Sequence, residues 1–119
     1  MKRKIVFFGD YFLDFYSKQD LKTKEKIDFV LDLIRNVERV PIKFLKYWAG
    51  TDSLFEVKVL THNSDIRIFS FFDEGNLIIL VNSFVKKSNK TPKNELERGI
   101  KLKEEYFLEK SERNIKWKS

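Results

Sequence analysis

The sequence contains no cysteine, and this absence excludes more chemistry than any other feature of its composition. A chain without thiols can form neither a disulfide framework nor a cysteine-based zinc site. Histidine occurs once, as His62 at a predicted turn, and no spacing of Asp and Glu resembles a set of metal ligands. A nucleophilic triad and a glycine-rich phosphate loop are equally poorly supported. We therefore expect neither a metal nor any other cofactor.

Long apolar stretches are also missing. No run approaches the roughly 18 residues that are needed to span a bilayer. The apolar run after the basic residues 2–4 is far too short for the core of a signal peptide, and it ends before Asp10. We expect a cytoplasmic protein that has no membrane partner.

The chain does contain enough apolar material for one folded domain. Hydrophobic residues make up 42% of the 119 residues and aromatic residues 15%, which predicts a packed core in a single domain over residues 1–119. Charged residues make up 35%, and the net charge is +6. A basic protein suits a polyanionic partner, although its net charge says nothing about its fold.

The first 40 residues predict one short strand and two helices. The strand falls within residues 1–9, and residues 10–40 predict a helical hairpin with Asp10 and Asp20 as candidate N-caps. We interpret the lysines at positions 22, 24 and 26 as a solvated helix face. Apolar residues recur in the second helix at i, i+3, i+4 and i+7. They are Ile27, Val30, Leu31 and Ile34.

Pro41 breaks this helical pattern. Leu45 and Trp48 lie three residues apart, which predicts a single helical turn before a loop at residues 50–53. We interpret Trp48 as a core residue that fills the space at the edge of the core.

Residues 54–85 alternate like a three-stranded antiparallel meander. A first turn at His62-Asn63 would put Lys58 opposite Arg67, and a second at Glu74-Gly75 would put Arg67 opposite Asn82. One face then carries Lys58, Arg67, Asn82, Phe84 and Lys86. The other face is apolar and is expected to take the helices. It carries Phe55, Val57, Val59, Ile66, Ile68 and Phe72.

Arg67 is the residue of this meander that is hardest to explain as ordinary surface. It is flanked by apolar residues in the middle of the predicted sheet, so it must bind an acidic partner or serve a ligand. Glu56 is the candidate acidic partner. We favour a functional role, because charged groups held in such positions often belong to functional sites.

A basic loop over residues 86–93 comes after the meander and leads into a C-terminal helix over residues 92–110. Thr91 and Pro92 are typical of the start of such a helix. The loop contains no acidic residue. Composition alone leaves two interpretations open, a solvated loop and a surface that binds phosphate. Its lysines are Lys86, Lys87, Lys90 and Lys93.

Several runs within residues 45–107 occur in a characteristic order. They include L-F-E-V-K-V from Leu54, D-I-R-I-F from Asp65, and F-V-K-K-x-x-K-T-P from Phe84. The last run is followed by a helix that contains Glu95, Glu97, Arg98 and Ile100. Together these motifs resemble the RelE/ParE superfamily of bacterial toxins, and more narrowly its HigB-like, phage-derived branch.

This resemblance implies an α+β fold, in which a curved antiparallel sheet carries an N-terminal helical hairpin and a C-terminal helix. It also implies a type II toxin that cleaves mRNA on the translating ribosome and is neutralised by a helix-turn-helix, HigA-like antitoxin. Carried over by position, it implies catalytic roles for Lys58, Arg67 and Lys87. The expected RNA-binding residues are Lys86, Lys90, Lys93, Phe84 and Asn82.

Such cleavage needs no metal, because a ribose 2′-hydroxyl can attack the adjacent phosphate if the protein stabilises the added negative charge. Arg67 suits this task, and Lys58 is a candidate base. Some relatives use a His or Tyr near the C-terminus as acid or base. Here Tyr106 is the candidate, but it can equally belong to the helix core.

Two other functions remain open. One is a non-catalytic nucleic-acid-binding or regulatory module of the same fold. The other is a topoisomerase inhibitor like those of the ParE branch, against which the lysine-rich loop argues by resemblance alone.

Overall fold

A computed structural model describes the backbone of residues 2–118 and the side chains of residues 2–113. The architecture is α+β, as predicted, with helices on both faces of one sheet. The elements are β1 (Lys4–Phe7), α1 (Tyr11–Ser17), α2 (Leu21–Asn36), β2 (Leu45–Tyr47), β3 (Phe55–Leu60), β4 (Asp65–Asp73), β5 (Leu77–Val85) and α3 (Lys93–Lys118).

The five strands form one mixed sheet in the order β1-β5-β4-β3-β2. Strands β2 to β5 pair antiparallel, and β3 to β5 form the predicted meander. Strand β1 instead pairs with β5 in parallel. The predicted antiparallel sheet therefore has one parallel strand at this edge. Strand β1 pairs with a segment some 70 residues later in the chain, and no local pattern shows its direction.

Each face of the sheet buries its own apolar core. Helices α1 and α2 cover one face, whose strand residues include the predicted apolar positions 57, 59, 66 and 68. Helix α3 covers the other face. The buried residues there are Leu54, Phe69, Phe71, Ile79, Val81, Phe84 and Leu102. The face predicted to carry exposed cations is thus largely an internal surface, and only its margin is open.

The segment around Leu45 differs from the prediction. Leu45–Tyr47 forms the edge strand β2 rather than a helical turn, and Leu45 pairs with Val57 of β3. Pairing with β3 satisfies backbone groups that an isolated helical turn would leave to water. Trp48 is half-buried and packs against the α3-side core, with its ring centroid 6.2 Å from that of Phe69.

The helix ends match the predicted caps only in part. The Asp20 carboxylate accepts a hydrogen bond from the Thr23 backbone N–H at 2.8 Å, which confirms this N-cap. Asp10 holds the N-cap position of α1, but its side chain accepts no capping bond. Helix α3 begins at Lys93 and runs to Lys118, past the predicted end at residue 110. Within residues 2–118, no helix is long and apolar enough to cross a membrane.

Candidate nucleic-acid interface

The first hairpin has the predicted register, and the second does not. Lys58 lies opposite Arg67, as expected. Arg67 lies opposite Phe84 instead of Asn82, so this part of the prediction is wrong. The second turn contains three residues rather than two, because Asp73 pairs with Leu77. A β-bulge then inserts one more residue into β5, opposite the stretch from Ile68 to Ser70.

Arg67 is held by two carboxylates at the start of β4. Its Nε donates to Asp65 Oδ1 at 2.7 Å and its Nη2 to Asp65 Oδ2 at 3.0 Å, which makes a bidentate pair. Its Nη1 donates to Glu56 Oε1 at 2.9 Å, which confirms Glu56 as a partner. Arg67 is only 8% exposed and Glu56 is fully buried. The three bonds leave one N–H on each terminal nitrogen of the guanidinium.

Asp65 is the partner that sequence reasoning missed. It lies two residues before Arg67 in the same strand, so their side chains share a face, and this spacing could have revealed it. The hydrogen bond from Arg67 lowers the pKa of Asp65, and the charges of Lys86 and Lys58 lower it further. Burial acts to lower the pKa of Arg67, but its bonds to Asp65 and Glu56 outweigh this and raise the pKa. The pair is therefore ionised at neutral pH.

Two lysines flank this ion pair at the open margin of the sheet. Lys58 and Lys86 are both half-buried, and both act electrostatically on the Asp65 carboxylate. The Lys86 backbone N–H donates to the Asp65 carbonyl at 2.7 Å, which fixes the start of the basic loop against β4. We call Lys58, Asp65, Arg67, Lys86 and Lys87 the cationic rim. It joins three elements, the end of β3, the start of β4 and the chain that leaves β5.

Beyond Lys86 the lysine side chains of the basic loop are exposed, including that of Lys87 in the rim. Lys87, Lys90 and Lys93 all point into solvent, and Lys93 makes a loose pair with Glu97 at 3.9 Å, one turn along α3. Exposed pairs of this kind contribute little to stability, so these side chains are free to meet a ligand.

Phe84 and Asn82 have packing roles in this structure. Phe84 is 6% exposed, and its ring lies 5.6 Å from that of Phe69. Asn82 is 3% exposed, and its amide donates to the Glu95 carbonyl at 3.0 Å and to Glu95 Oε1 at 3.1 Å. Contact of either side chain with RNA would require α3 to separate from β5.

Tyr106 lies far from the cationic rim. Its hydroxyl donates to Asp73 Oδ2 at 2.7 Å, at the opposite end of β4 from Arg67. Asp73 lies six positions after Arg67 in the same strand, which is about 20 Å. Burial raises the pKa of Tyr106, and its bond to Asp73 raises it further. The structure therefore does not bring Tyr106 together with the predicted catalytic residues.

A metal-binding cluster is not found in the described part of the chain, where no group of three or more His, Asp and Glu side chains converges.

The five-stranded sheet, the helices on both its faces and the lysines at its open margin together define a class of α+β protein. The fold is similar to that of a double arginine-to-alanine variant of the E. coli toxin RelE in the free state, with a TM-score of 0.53. The two chains are 15% identical over 70% of this chain and 82% of that one, a likeness that shows the fold. This is a RelE-like α+β protein.

The family is established by the sequence itself. A model of the family "Phage derived protein Gp49-like" matches residues 14–104. The chain belongs to this family, which is one of RelE-like toxins. A search of curated proteins found no significant match.

Proposed function

We propose that this protein is the toxin of a type II toxin–antitoxin system, of the HigB-like branch, and that it cleaves mRNA on the translating ribosome. The observation that carries the proposal is the cationic rim, in which Lys58 and Lys86 flank the Arg67–Asp65 pair at the open margin of a RelE-like sheet. Cations grouped in this way suit a phosphate, and Lys87 and Lys90 extend the charge outward.

The proposed reaction is an internal transfer at one RNA phosphate. The ribose 2′-oxygen forms a bond to phosphorus while the bond from phosphorus to the 5′-oxygen breaks, leaving a 2′,3′-cyclic phosphate and a 5′-hydroxyl. Lys58 acts as the base that takes the proton of the 2′-hydroxyl, and Lys87 returns a proton to the 5′-oxygen. Lys86 and the free N–H groups of Arg67 stabilise the charge that develops on the phosphate oxygens.

In this proposal Arg67 has a second task, which is to hold the rim in shape. Its bond to Glu56 joins β4 to β3, and its bonds to Asp65 hold it within β4. The ribosome positions the mRNA, so the toxin itself needs few substrate-binding groups. A helix-turn-helix antitoxin of the HigA type neutralises the toxin in the cytoplasm.

The test is induced expression in bacteria, with growth measured and mRNA 5′ ends mapped. We expect growth arrest and new 5′-hydroxyl ends in translated mRNA, both suppressed by co-expression of the cognate antitoxin. Lys58→Gln/Lys86→Gln should abolish both effects while it keeps the thermal stability of the parent. Lys4→Gln/Lys101→Gln is the matched control, since it removes two exposed charges outside the rim.

Two outcomes would contradict the proposal. Growth arrest without new mRNA ends would point to a non-catalytic module or to a topoisomerase inhibitor. Equal cleavage of naked and ribosome-bound mRNA in a reconstituted translation system would contradict the ribosome dependence.

A further inference from the structure

A second basic surface leads away from the cationic rim. Two grooves of about 490 and 400 Å³ adjoin each other, because Lys26 and Leu60 line both of them. The first lies between the start of α2 and the turn from β3 to β4, around His62. The second lies between α2, the chain at Lys43 and Phe44, and the end of β3.

Four lysines line these grooves without a salt bridge to a described carboxylate. They are Lys22, Lys26, Lys43 and Lys58. Among the described side chains, none of the four has a carboxylate within 4.0 Å. Asp20 is the one acid among the described residues that line the grooves. Its carboxylate accepts a hydrogen bond from the Thr23 backbone N–H, which lowers its pKa, and the charge of Lys22 lowers this pKa further.

The surface is continuous with the rim through Lys58. This residue lines the second groove and also lies opposite Arg67 in the sheet. Helix α2 packs on the opposite face of the sheet from α3, so a groove lined by Lys26 and Lys58 must pass round the edge of β3. That edge is open only beyond Lys58, because β2 pairs with residues 55–57 and the Phe44 carbonyl accepts a hydrogen bond from the Lys58 backbone N–H at 2.8 Å.

We propose that this groove binds the phosphate backbone of single-stranded RNA that extends from the cationic rim. The inference rests on the proposed function, because the rim is where that function locates the scissile phosphate. Lysine is a flexible point charge that contacts phosphates without reading bases, and spaced lysines along a groove track a backbone. An acidic protein segment also fits such a charge, but continuity with the rim favours RNA.

The test is a salt titration of RNA binding. A fluorescently labelled single-stranded RNA of mixed sequence and about 16 nucleotides serves as the probe, a length at the upper end of the site sizes of small RNA-binding folds. Fluorescence anisotropy gives the dissociation constant at a series of salt concentrations. Lys22→Gln/Lys26→Gln is compared with the parent and with Lys4→Gln/Lys101→Gln, which removes the same charge elsewhere.

Each phosphate contact contributes about 0.7 to the slope of log affinity against log salt, so the groove variant should lose about 1.4 of this slope. It should also bind at least about tenfold more weakly near 0.1 M salt, while the control variant keeps the parent slope. Equal slopes for the two variants would overturn the inference. So would a groove variant that binds RNA normally but no longer binds the antitoxin, since this would assign the groove to a protein partner.

The mapping of mRNA ends separates this inference from the function on which it rests. If the parent cleaves mRNA and the groove variant cleaves and binds RNA as the control does, the groove inference fails and the function stands. If the parent neither binds RNA nor cleaves mRNA, both fail.

Discussion

At the scale of single residues, Arg67 shows how one side chain can belong to both the structure and the site. It is bound by Asp65 and Glu56 at 2.7 to 3.0 Å. Glu56 is fully buried, and its Oε2 has no hydrogen-bond partner among the described residues. The buried carboxylate therefore depends on Arg67 for its compensation, since an unpaired charge in a protein interior is strongly unfavourable.

Arg67→Ala should lower the free energy of unfolding by about 3–5 kcal/mol, because it leaves Glu56 buried without its cation. Urea unfolding at pH 7 measures this loss. Arg35→Ala is the control, since Arg35 and its partner Asp32 are both exposed and the loss should stay below about 1 kcal/mol. Equal stability of the two variants would contradict the structural role. A loss of toxicity in Arg67→Ala alone would not prove a catalytic role, and this is why the functional test uses lysines.

At the scale of elements, helix α3 is held on the sheet by a close contact near its N-terminus and by a polar clamp further along the helix. Gly99 faces Phe69, where an added Cβ would lie 3.1 Å from the Phe69 Cγ. The clamp joins Tyr106 and Lys110 of α3 to Asp73 at the end of β4. The apolar residues of the helix explain its burial, and these two contacts explain its position.

Gly99→Ala should destabilise the protein by about 1–2 kcal/mol, although alanine favours a helix over glycine by about 1 kcal/mol. The reason is that Phe69 is fully buried and packs against the rings of Trp48 and Phe84, which leaves it little room to shift. Thermal or urea unfolding measures the change, with the exposed Lys101→Ala as a control that should stay within about 0.5 kcal/mol. A stabilised Gly99→Ala variant would show that Phe69 has room to move.

The polar clamp should make stability depend on acid pH. Burial acts to raise the pKa of Asp73, but the hydrogen bonds from Lys110 and Tyr106 outweigh it and hold this pKa below its usual value. In the unfolded chain the pKa of an Asp side chain is about 3.9. The stability that the clamp contributes is therefore complete above that pH, and it is lost as the pH falls through the lower pKa of Asp73 in the folded protein.

Urea unfolding between pH 7 and pH 3 should therefore show a shallower decline for Asp73→Asn than for the parent. Part of the decline should persist, because Asp65 has a lowered pKa of its own. Asp52→Asn, which changes an exposed carboxylate, should behave as the parent does. Parallel curves for Asp73→Asn and the parent would contradict the stabilising role of the clamp.

At the scale of the whole molecule, the sheet separates two apolar cores, and the lysines of the rim and the basic loop lie at a margin of the sheet outside both cores. Strands β4 and β5 are central and covered on both faces, whereas the basic loop is exposed on one margin. The free energy of local opening should therefore be high in β4 and β5 and low in the basic loop, since segments with few buried contacts open most readily.

Native-state hydrogen exchange should find the slowest amides in β4 and β5, exchanging only on global unfolding. Amides of residues 87–90 should exchange by local opening, many orders of magnitude faster. The amide of Lys86, which donates to the Asp65 carbonyl, should be the last protected amide before the fast-exchanging loop. Protection of the loop equal to that of the strands would contradict a loop that is free to adapt to a ligand.

The sequence by itself determined the parts of this protein that depend on neighbouring residues. The stripe of Ile27, Val30 and Ile34, the three strands of the meander and the pairing of Lys58 with Arg67 all result from side-chain periodicity and turn residues. Motif likeness pointed to the RelE-like fold, which the comparison with RelE confirms.

Only the tertiary structure decided the features that depend on distant partners. Three such features join segments that are far apart in the chain or shifted by inserted residues. They are the parallel pairing of β1 with β5, the three-residue turn and β-bulge that together place Arg67 opposite Phe84, and the groove that Lys26 and Lys58 both line. Local patterns carry no signal for such contacts, because each is selected by the packing of two layers against the sheet. The lysines of α2 look like an ordinary solvated helix face until the fold sets them beside the rim.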